Sequence, residues 1–157
     1  MSGDSPVPGA GALYLSDAAA AIICVEGDGY LMQLRDPRPD IWYPDHWGLF
    51  GGAIDPGETP LEALRRELDE ELELNVTTAD VFASIDFDLG GIGLPRYHRS
   101  YFVVSISRAV EARLVLHEGR AKQVFSGPEI LRQPNVTPYD LFALFLHHER
   151  GRLASLP

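Results

Sequence analysis

Glu67, Glu70 and Glu71 follow one another at i, i+3 and i+4, a spacing that sets three carboxylates on one stripe of a helix. Like charges at i and i+4 repel by a few tenths of a kcal/mol even in full solvent. Nearer a core, repulsion and desolvation grow unless protons or cations compensate. Arg66 reaches Glu70 at i+4 but supplies a single positive charge. A hard divalent cation answers the remainder, and oxygen donors suit Mg²⁺ or Mn²⁺. A generic glutamate-rich helix face is usually only solvated, so the weight of this reading depends on what surrounds the three acids.

The element that must carry them is well marked. Thr59-Pro60-Leu61-Glu62 predicts a helix start with Thr59 as N-cap, Pro60 at N1 and Glu62 closing a capping box. On a wheel of about 100° per residue, Leu61, Leu64, Leu68 and Leu72 form a core-facing stripe. The three glutamates lie about a quarter-turn away, and Glu62, Arg65, Asp69 and Glu73 take the solvent side. Ahead of the helix, Ala18 to Glu26, the turn residues Gly27-Asp28-Gly29, and Tyr30 to Arg35 predict a β-hairpin. Asp36 to Asp45 is proline-rich loop, Trp47 to Phe50 a short strand, and Pro56-Gly57 a turn. Beyond the helix, strands are predicted at Val81 to Asp88, Arg96 to Ser107, Ala112 to Leu116 and Lys122 to Phe125, with Gly90, Gly91, Gly93 and Pro95 separating the first two. Thr137-Pro138-Tyr139-Asp140 repeats the helix-start chemistry and opens an apolar helix to about His148. Strands, helix, strands, helix imply a sheet with helices packed against it.

Read from Gly52, the chain has Gly52, five residues, Glu58, seven residues, then Arg66-Glu67-Leu68-Asp69-Glu70-Glu71-Leu72-Glu73-Leu74. This resembles the Nudix box, G-x5-E-x7-R-E-U-x-E-E-x-G-U with U aliphatic, at every specified position except one: the box glycine is Glu73. Trp47-Gly48-Leu49-Phe50-Gly51-Gly52 resembles the family's approach to the box. The resemblance covers roughly residues 18 to 148. It implies an α/β (α+β) fold, a Nudix-like α/β/α sandwich with a mixed sheet between helices. It also implies a metal-dependent hydrolase, MutT-like in class, that cleaves the diphosphate linkage of a nucleoside diphosphate derivative by water attack at phosphorus.

By the same resemblance Glu70 and Glu71 are metal ligands, and Glu67 is a further ligand or the base that deprotonates water. The carbonyl of Gly52 is the non-carboxylate ligand. Arg66 holds a glutamate through a charge-assisted hydrogen bond, and Glu58 orients the ligands from behind. The expected cofactor is Mg²⁺, with Mn²⁺ as a substitute. A further acid on a later loop is expected at Glu118, with Glu111 the weaker choice. Glycine at a helix end supplies positive φ, which glutamate adopts only at some cost. Glu73 therefore implies altered capping, with Asn75 available to end the helix slightly later, and the chemistry retained.

Composition bounds the rest. The 157 residues suit one domain, here residues 16–157 behind a disordered tail of residues 1–15 that is rich in Gly, Pro and Ser. Thirteen basic against 23 acidic side chains give a formal charge of -10, which argues against broad contact with nucleic acid or anionic membranes. A phosphate site then needs a local cation. A lone cysteine, Cys24, excludes an internal disulfide, and Ala18 to Val25 is too short to span a bilayer. A cytoplasmic enzyme acting on a small nucleotide-type diphosphate is the expectation, with a homodimer as the default assembly.

Substrate contacts are read from residue type alone. Tyr43, Trp47 and Phe50 are candidates to stack a base, although such aromatics are more often core. Arg35, Arg96, His98 and Arg99 are candidates for phosphate, although charged strand residues usually face water. His147-His148 reads as favourable charge at a helix C-terminus, not as a metal site. Two other classes remain. A nucleotide-sensing module would not need the complete Arg66-Glu67-x-x-Glu70-Glu71 core. An isoprenoid diphosphate isomerase would need a reactive cysteine, whereas Cys24 reads as a buried structural thiol.

Overall fold

The computed structural model describes residues 16–156 apart from 28, 89 and 93–95. The expected tail at 1–15, the turn residue Asp28 and the Gly93-to-Pro95 punctuation lie outside the described residues. The hairpin forms as β1 (Ala18–Val25) and β2 (Gly29–Leu34), with Cys24 opposite Tyr30. β1 is the axis of a seven-stranded mixed sheet. It runs parallel to β6 (Tyr97–Ile106), with Ala18 opposite Arg99 and Val25 opposite Ile106. β5 (Asp80–Phe87) pairs antiparallel with β6, and β7 (Ala121–Ser126) with β2.

Residues of β1 alternate between two cores, as a strand period of 2 requires. Ala19, Ala21, Ile23 and Val25 meet Leu64, Leu68 and Leu72 of α1 (Pro60–Leu72), while Ala20 and Ile22 meet Ala143 and Leu144 of a C-terminal helix. A helix therefore covers each face of the sheet, as the α/β/α expectation has it. Leu64, Leu68 and Leu72 are fully buried, each contributing about 2 kcal/mol of transfer free energy. The capping box of α1 is complete, with Glu62 N donating to Thr59 Oγ1 at 3.3 Å and Thr59 N to Glu62 Oε2 at 2.8 Å.

Four expectations change. Trp47 to Phe50 is two short strands, β3 (Trp47–Gly48) on β2 and β4 (Phe50–Ala53) on β1. The chain switches partners at Leu49, whose amide donates to Asp140 Oδ2 at 3.0 Å. Ala112 to Leu116 is not a strand. Ser107 caps a short helix, α2 (Arg108–Glu111), and the chain after it gives its amides to a helix end instead of a sheet: Val115 N to Leu72 O at 3.2 Å, His117 N to Glu71 O at 2.9 Å. Two further short helices, α3 (Gly127–Ile130) and α5 (Arg150–Leu153), flank the C-terminal helix α4 (Pro138–His148). Thr137 does not cap α4 with its side chain. Its hydroxyl donates instead to Asp140 Oδ2 at 2.7 Å, a carboxylate that also takes Leu49 N and Arg99. Finally, α1 does not run on to Asn75. It ends at Leu72, and Glu73 itself takes the left-handed conformation, φ 54 and ψ 31.

Candidate active site

The three glutamates of α1 are not equivalent. Glu71 is buried at 3% exposure, Glu67 is half-buried, and the Glu70 side chain is 61% exposed. The wheel set them on one stripe, but the stripe rolls from core to solvent across β4. Glu71 is fixed from two sides, accepting from Gly51 N at 2.8 Å and from Gln33 Nε2 at 3.1 Å. Burial nevertheless pushes its carboxyl up to about 8, and the charges of Glu118 and Glu67 add to the rise. Burial also raises Glu67, against the pull of Arg66.

Two glycines let β4 lie this close to its neighbours, Gly51 against β1 and Gly52 against α1. Gly51 sits at φ +130 with Ala19 O only 2.2 Å from where a Cβ would be. A Cβ on Gly52 would lie 2.6 Å from the Glu67 carboxyl carbon, so the bare Gly52 backbone lies directly against that carboxylate.

Arg66 organises the opposite side. Its Nε and one terminal nitrogen grip both oxygens of Glu58 at 2.8 and 2.9 Å, a bidentate pair. The other terminal nitrogen donates to Glu67 Oε1 at 2.6 Å and stands 3.5 Å from Glu70 Oε2. Arg66 also holds Ala53 O at 3.0 Å, which anchors the end of β4. The guanidinium and the Asp55 amide draw Glu58 down to about 2, so Glu58 remains ionised and occupies much of the arginine's charge.

Glu118 is exposed on the loop that docks on the end of α1, and its charge reaches Glu67 and Glu71. Gln33 ties the two together, one amide nitrogen donating to Glu71 Oε1 and to Glu118 O at 3.0 Å. Residue type alone passed over Gln33. The available signal was a polar side chain in an otherwise apolar strand, now seen at 2% exposure. Glu111 is elsewhere, paired with Lys122 at 2.6 Å.

Among the described residues no three His, Cys, Asp or Glu side chains are already gathered as a metal cage. The donor set nonetheless suits a hard cation: Glu67 and Glu70 meet one guanidinium that Glu58 already shares, and the charges of Glu67 and Glu118 bear on the buried Glu71. Burying Glu71 beside other carboxylates without a counter-charge is costly.

The substrate candidates scatter. Phe50 is fully buried in the α1 core and cannot stack a base. Trp47 packs edge-on to Phe125 at 4.9 Å. Arg99 is turned inward, 3.3 Å from Asp140 Oδ1 and 4.4 Å over the Tyr139 ring, so it serves a buried ion pair. Arg96 is exposed and stands 3.5 Å from Asp86, which His98 Nδ1 also meets at 2.9 Å. Arg35 Nε donates to Trp42 O at 2.9 Å beside Gly48. Tyr43, at φ 49, lies against Tyr139 at 5.8 Å. Near the end of α4, His147 is not charged as the helix-end reading had it. Burial, with Arg150 and His148 nearby, lowers it to about 4, and it meets the Tyr30 hydroxyl at 2.8 Å.

No helix among the described residues is long and apolar enough to cross a membrane. The chain is similar to a nucleoside triphosphatase NudI of Salmonella agona (strain SL483), 41% identical over 64 residues that make up 38% of this chain and 44% of that protein. The chain thus spans less than half the length of the curated relatives it matches. Among solved structures, the solution structure of the E. coli ORF135 protein matches with a TM-score of 0.68 and 26% identity, covering 93% of this chain and 98% of that one. The crystal structure of the MutT protein from Methanosarcina mazei Go1 matches with a TM-score of 0.70 and 21% identity, covering 88% and 99%. The NUDIX domain model matches residues 15–141, and with that span the chain belongs to the NUDIX family.

Proposed function

We propose that the protein hydrolyses the diphosphate linkage of a nucleoside diphosphate derivative, with Mg²⁺ or Mn²⁺ held by Glu67, Glu70, Glu71 and Glu118. The observation that carries this reading is the charge imbalance around Glu71, a buried carboxylate with two further acids beside it and its own proton affinity raised to about 8. A bound cation neutralises the diphosphate oxygens and makes a bound water more acidic. The chain's own residues do the remaining work. Glu67, partly desolvated and held at one oxygen by Arg66, is placed to take a proton from the attacking water. That water's oxygen bonds to phosphorus as the bridging P–O bond breaks, and the leaving phosphate takes the electron pair. Glu58 and Arg66 keep α1 and β4 in register so that the attack stays in line.

The family and the similarity to a nucleoside triphosphatase support a nucleotide-type substrate. Cys24 argues against the isomerase alternative. It lies four and five residues along β1 from Ala20 and Ala19, which pair with Gly51 and Gly52, so roughly 13–16 Å of strand separates it from the glutamates' end of the sheet. Burial also raises its thiol. The test is turnover of nucleoside triphosphates, nucleotide sugars, dinucleoside polyphosphates and dinucleotide cofactors with Mg²⁺ or Mn²⁺. One class is turned over, and Glu70→Gln and Glu71→Gln abolish that turnover. Equal rates in both variants overturn the reading, and tight nucleotide binding without turnover in either metal points to a sensing module.

A further inference from the structure

Glu73 stands where the box has glycine, and it takes the left-handed conformation that glycine would take there (φ 54). A glutamate gains nothing from that backbone state itself, so its side chain is the place to look for a compensating contact. Glu73 Oε1 meets His117 Nε2 at 2.7 Å. His117 is the residue before Glu118, and its amide donates to Glu71 O at 2.9 Å, next to the Val115 amide on Leu72 O. Gln33 completes the join by bridging the Glu71 carboxylate and the Glu118 carbonyl. Before β7 begins at Ala121, the segment carrying Glu118 is held by the last turn of α1 on one side and by β2 on the other, through Gln33 and through Arg120 N on Leu34 O at 2.7 Å. The direct side-chain contact from α1 to this segment is Glu73 with His117, made by the one residue that departs from the motif.

We propose that Glu73 and His117 form a clamp that docks the Glu118 loop on the end of α1, so that Glu118 is held near Glu67 and Glu71. Glu73 is a positioning residue and touches no reacting atom. The role of the docked loop rests on the proposed cation site, whereas the clamp itself does not. Glycine at this position would relax the backbone and loosen the loop, which the Val115 and His117 amides and Gln33 still hold. Stability and metal affinity therefore move in opposite directions on Glu73→Gly, which a purely structural contact would not produce.

The experiment uses the full chain in two arms. Amide hydrogen exchange without metal compares wild type, Glu73→Gly, Glu73→Gln and His117→Ala. In Glu73→Gly and His117→Ala, exchange at Val115 and His117 quickens about two- to fivefold, the worth of an exposed pair. Glu73→Gln keeps the acceptor and retains most of the protection. Unchanged exchange in Glu73→Gly overturns the clamp whatever the site binds. The second arm titrates Mn²⁺ directly. Its dissociation constant rises about two- to fivefold in Glu73→Gly, following the docked fraction of the loop, while Tm holds or rises. In a Glu118→Gln background the same change has no further effect. An equal loss in that background, or none in either, overturns the positioning role. Glu71→Gln serves as the control for the site: if it binds Mn²⁺ like wild type, the proposed cation site has failed and the exchange arm alone decides the clamp.

Discussion

Stability should respond to pH through Glu71 in a way that a neutral substitution removes. Its folded carboxyl is raised from 4.5 to about 8, so between those values the native state holds a proton that the unfolded chain releases. The sign follows: its contribution is fully present below about pH 4.5 and is lost as pH climbs through about 8. At 1.36 kcal/mol per pH unit, this difference is at most about 5 kcal/mol, and local relaxation brings it to about 3 kcal/mol. At about 2–4 °C per kcal/mol for a chain of this size, Tm of the metal-free protein should fall by about 10 °C from pH 5 to pH 8.5 because of Glu71. Glu71→Gln cannot ionise, so this component of the slope disappears. The variant loses part of the Gln33 contact, worth about 1 kcal/mol, so the slope and not the absolute Tm is the readout. Saturating Mg²⁺ should protect wild type most at high pH, since it binds the ionised carboxylate. The assay is thermal unfolding by circular dichroism across pH, with chelator or with Mg²⁺. Parallel curves for wild type and Glu71→Gln in chelator would refute the assignment of a strained carboxylate.

Arg66→Ala leaves Glu58 and Glu67 without their shared donor, so catalytic efficiency in Mg²⁺ should fall about 10- to 100-fold, and Arg66→Lys should recover little because the fork on Glu58 is lost. Arg99→Met strands Asp140 in its buried setting and should cost about 3–5 kcal/mol in urea unfolding, whereas a phosphate-binding Arg99 would raise KM with stability unchanged. His147 is lowered to about 4; its contribution, about 1–2 kcal/mol after solvent screening, is present above about pH 6.5 and lost as pH falls toward 4. His147→Asn should flatten that acid limb in melts between pH 4 and 7, and an unaltered limb would contradict the buried neutral imidazole.

The parts of this fold that are written locally were legible in the sequence. Thr59, Pro60 and Glu62 fix the start of α1, and the leucine period fixes its buried face, because caps and helix periods depend on residues within one or two turns. The Gly52-to-Leu74 spacing likewise located Arg66 and the glutamates before any contact was known. What was not legible depends on partners far along the chain. Arg99 looks like a strand arginine in solvent until Asp140 and Tyr139 arrive from α4. Ala112 to Leu116 is apolar enough to resemble a strand, yet its backbone finds the carbonyls at the end of α1. The differing burial of Glu67, Glu70 and Glu71 is set by where β4 crosses the helix, which no wheel contains. Glu73 was legible as an exception, but its contact with His117 was not.

Whether the α1 acids hold a cation for diphosphate hydrolysis is decided by product release from the preferred nucleotide substrate as Mg²⁺ is varied, in wild type, Glu70→Gln and Glu71→Gln. Activity that depends on Mg²⁺ in wild type and is lost in both variants is the predicted result. Turnover that persists in chelator, or proceeds at wild-type rates in both variants, would contradict it.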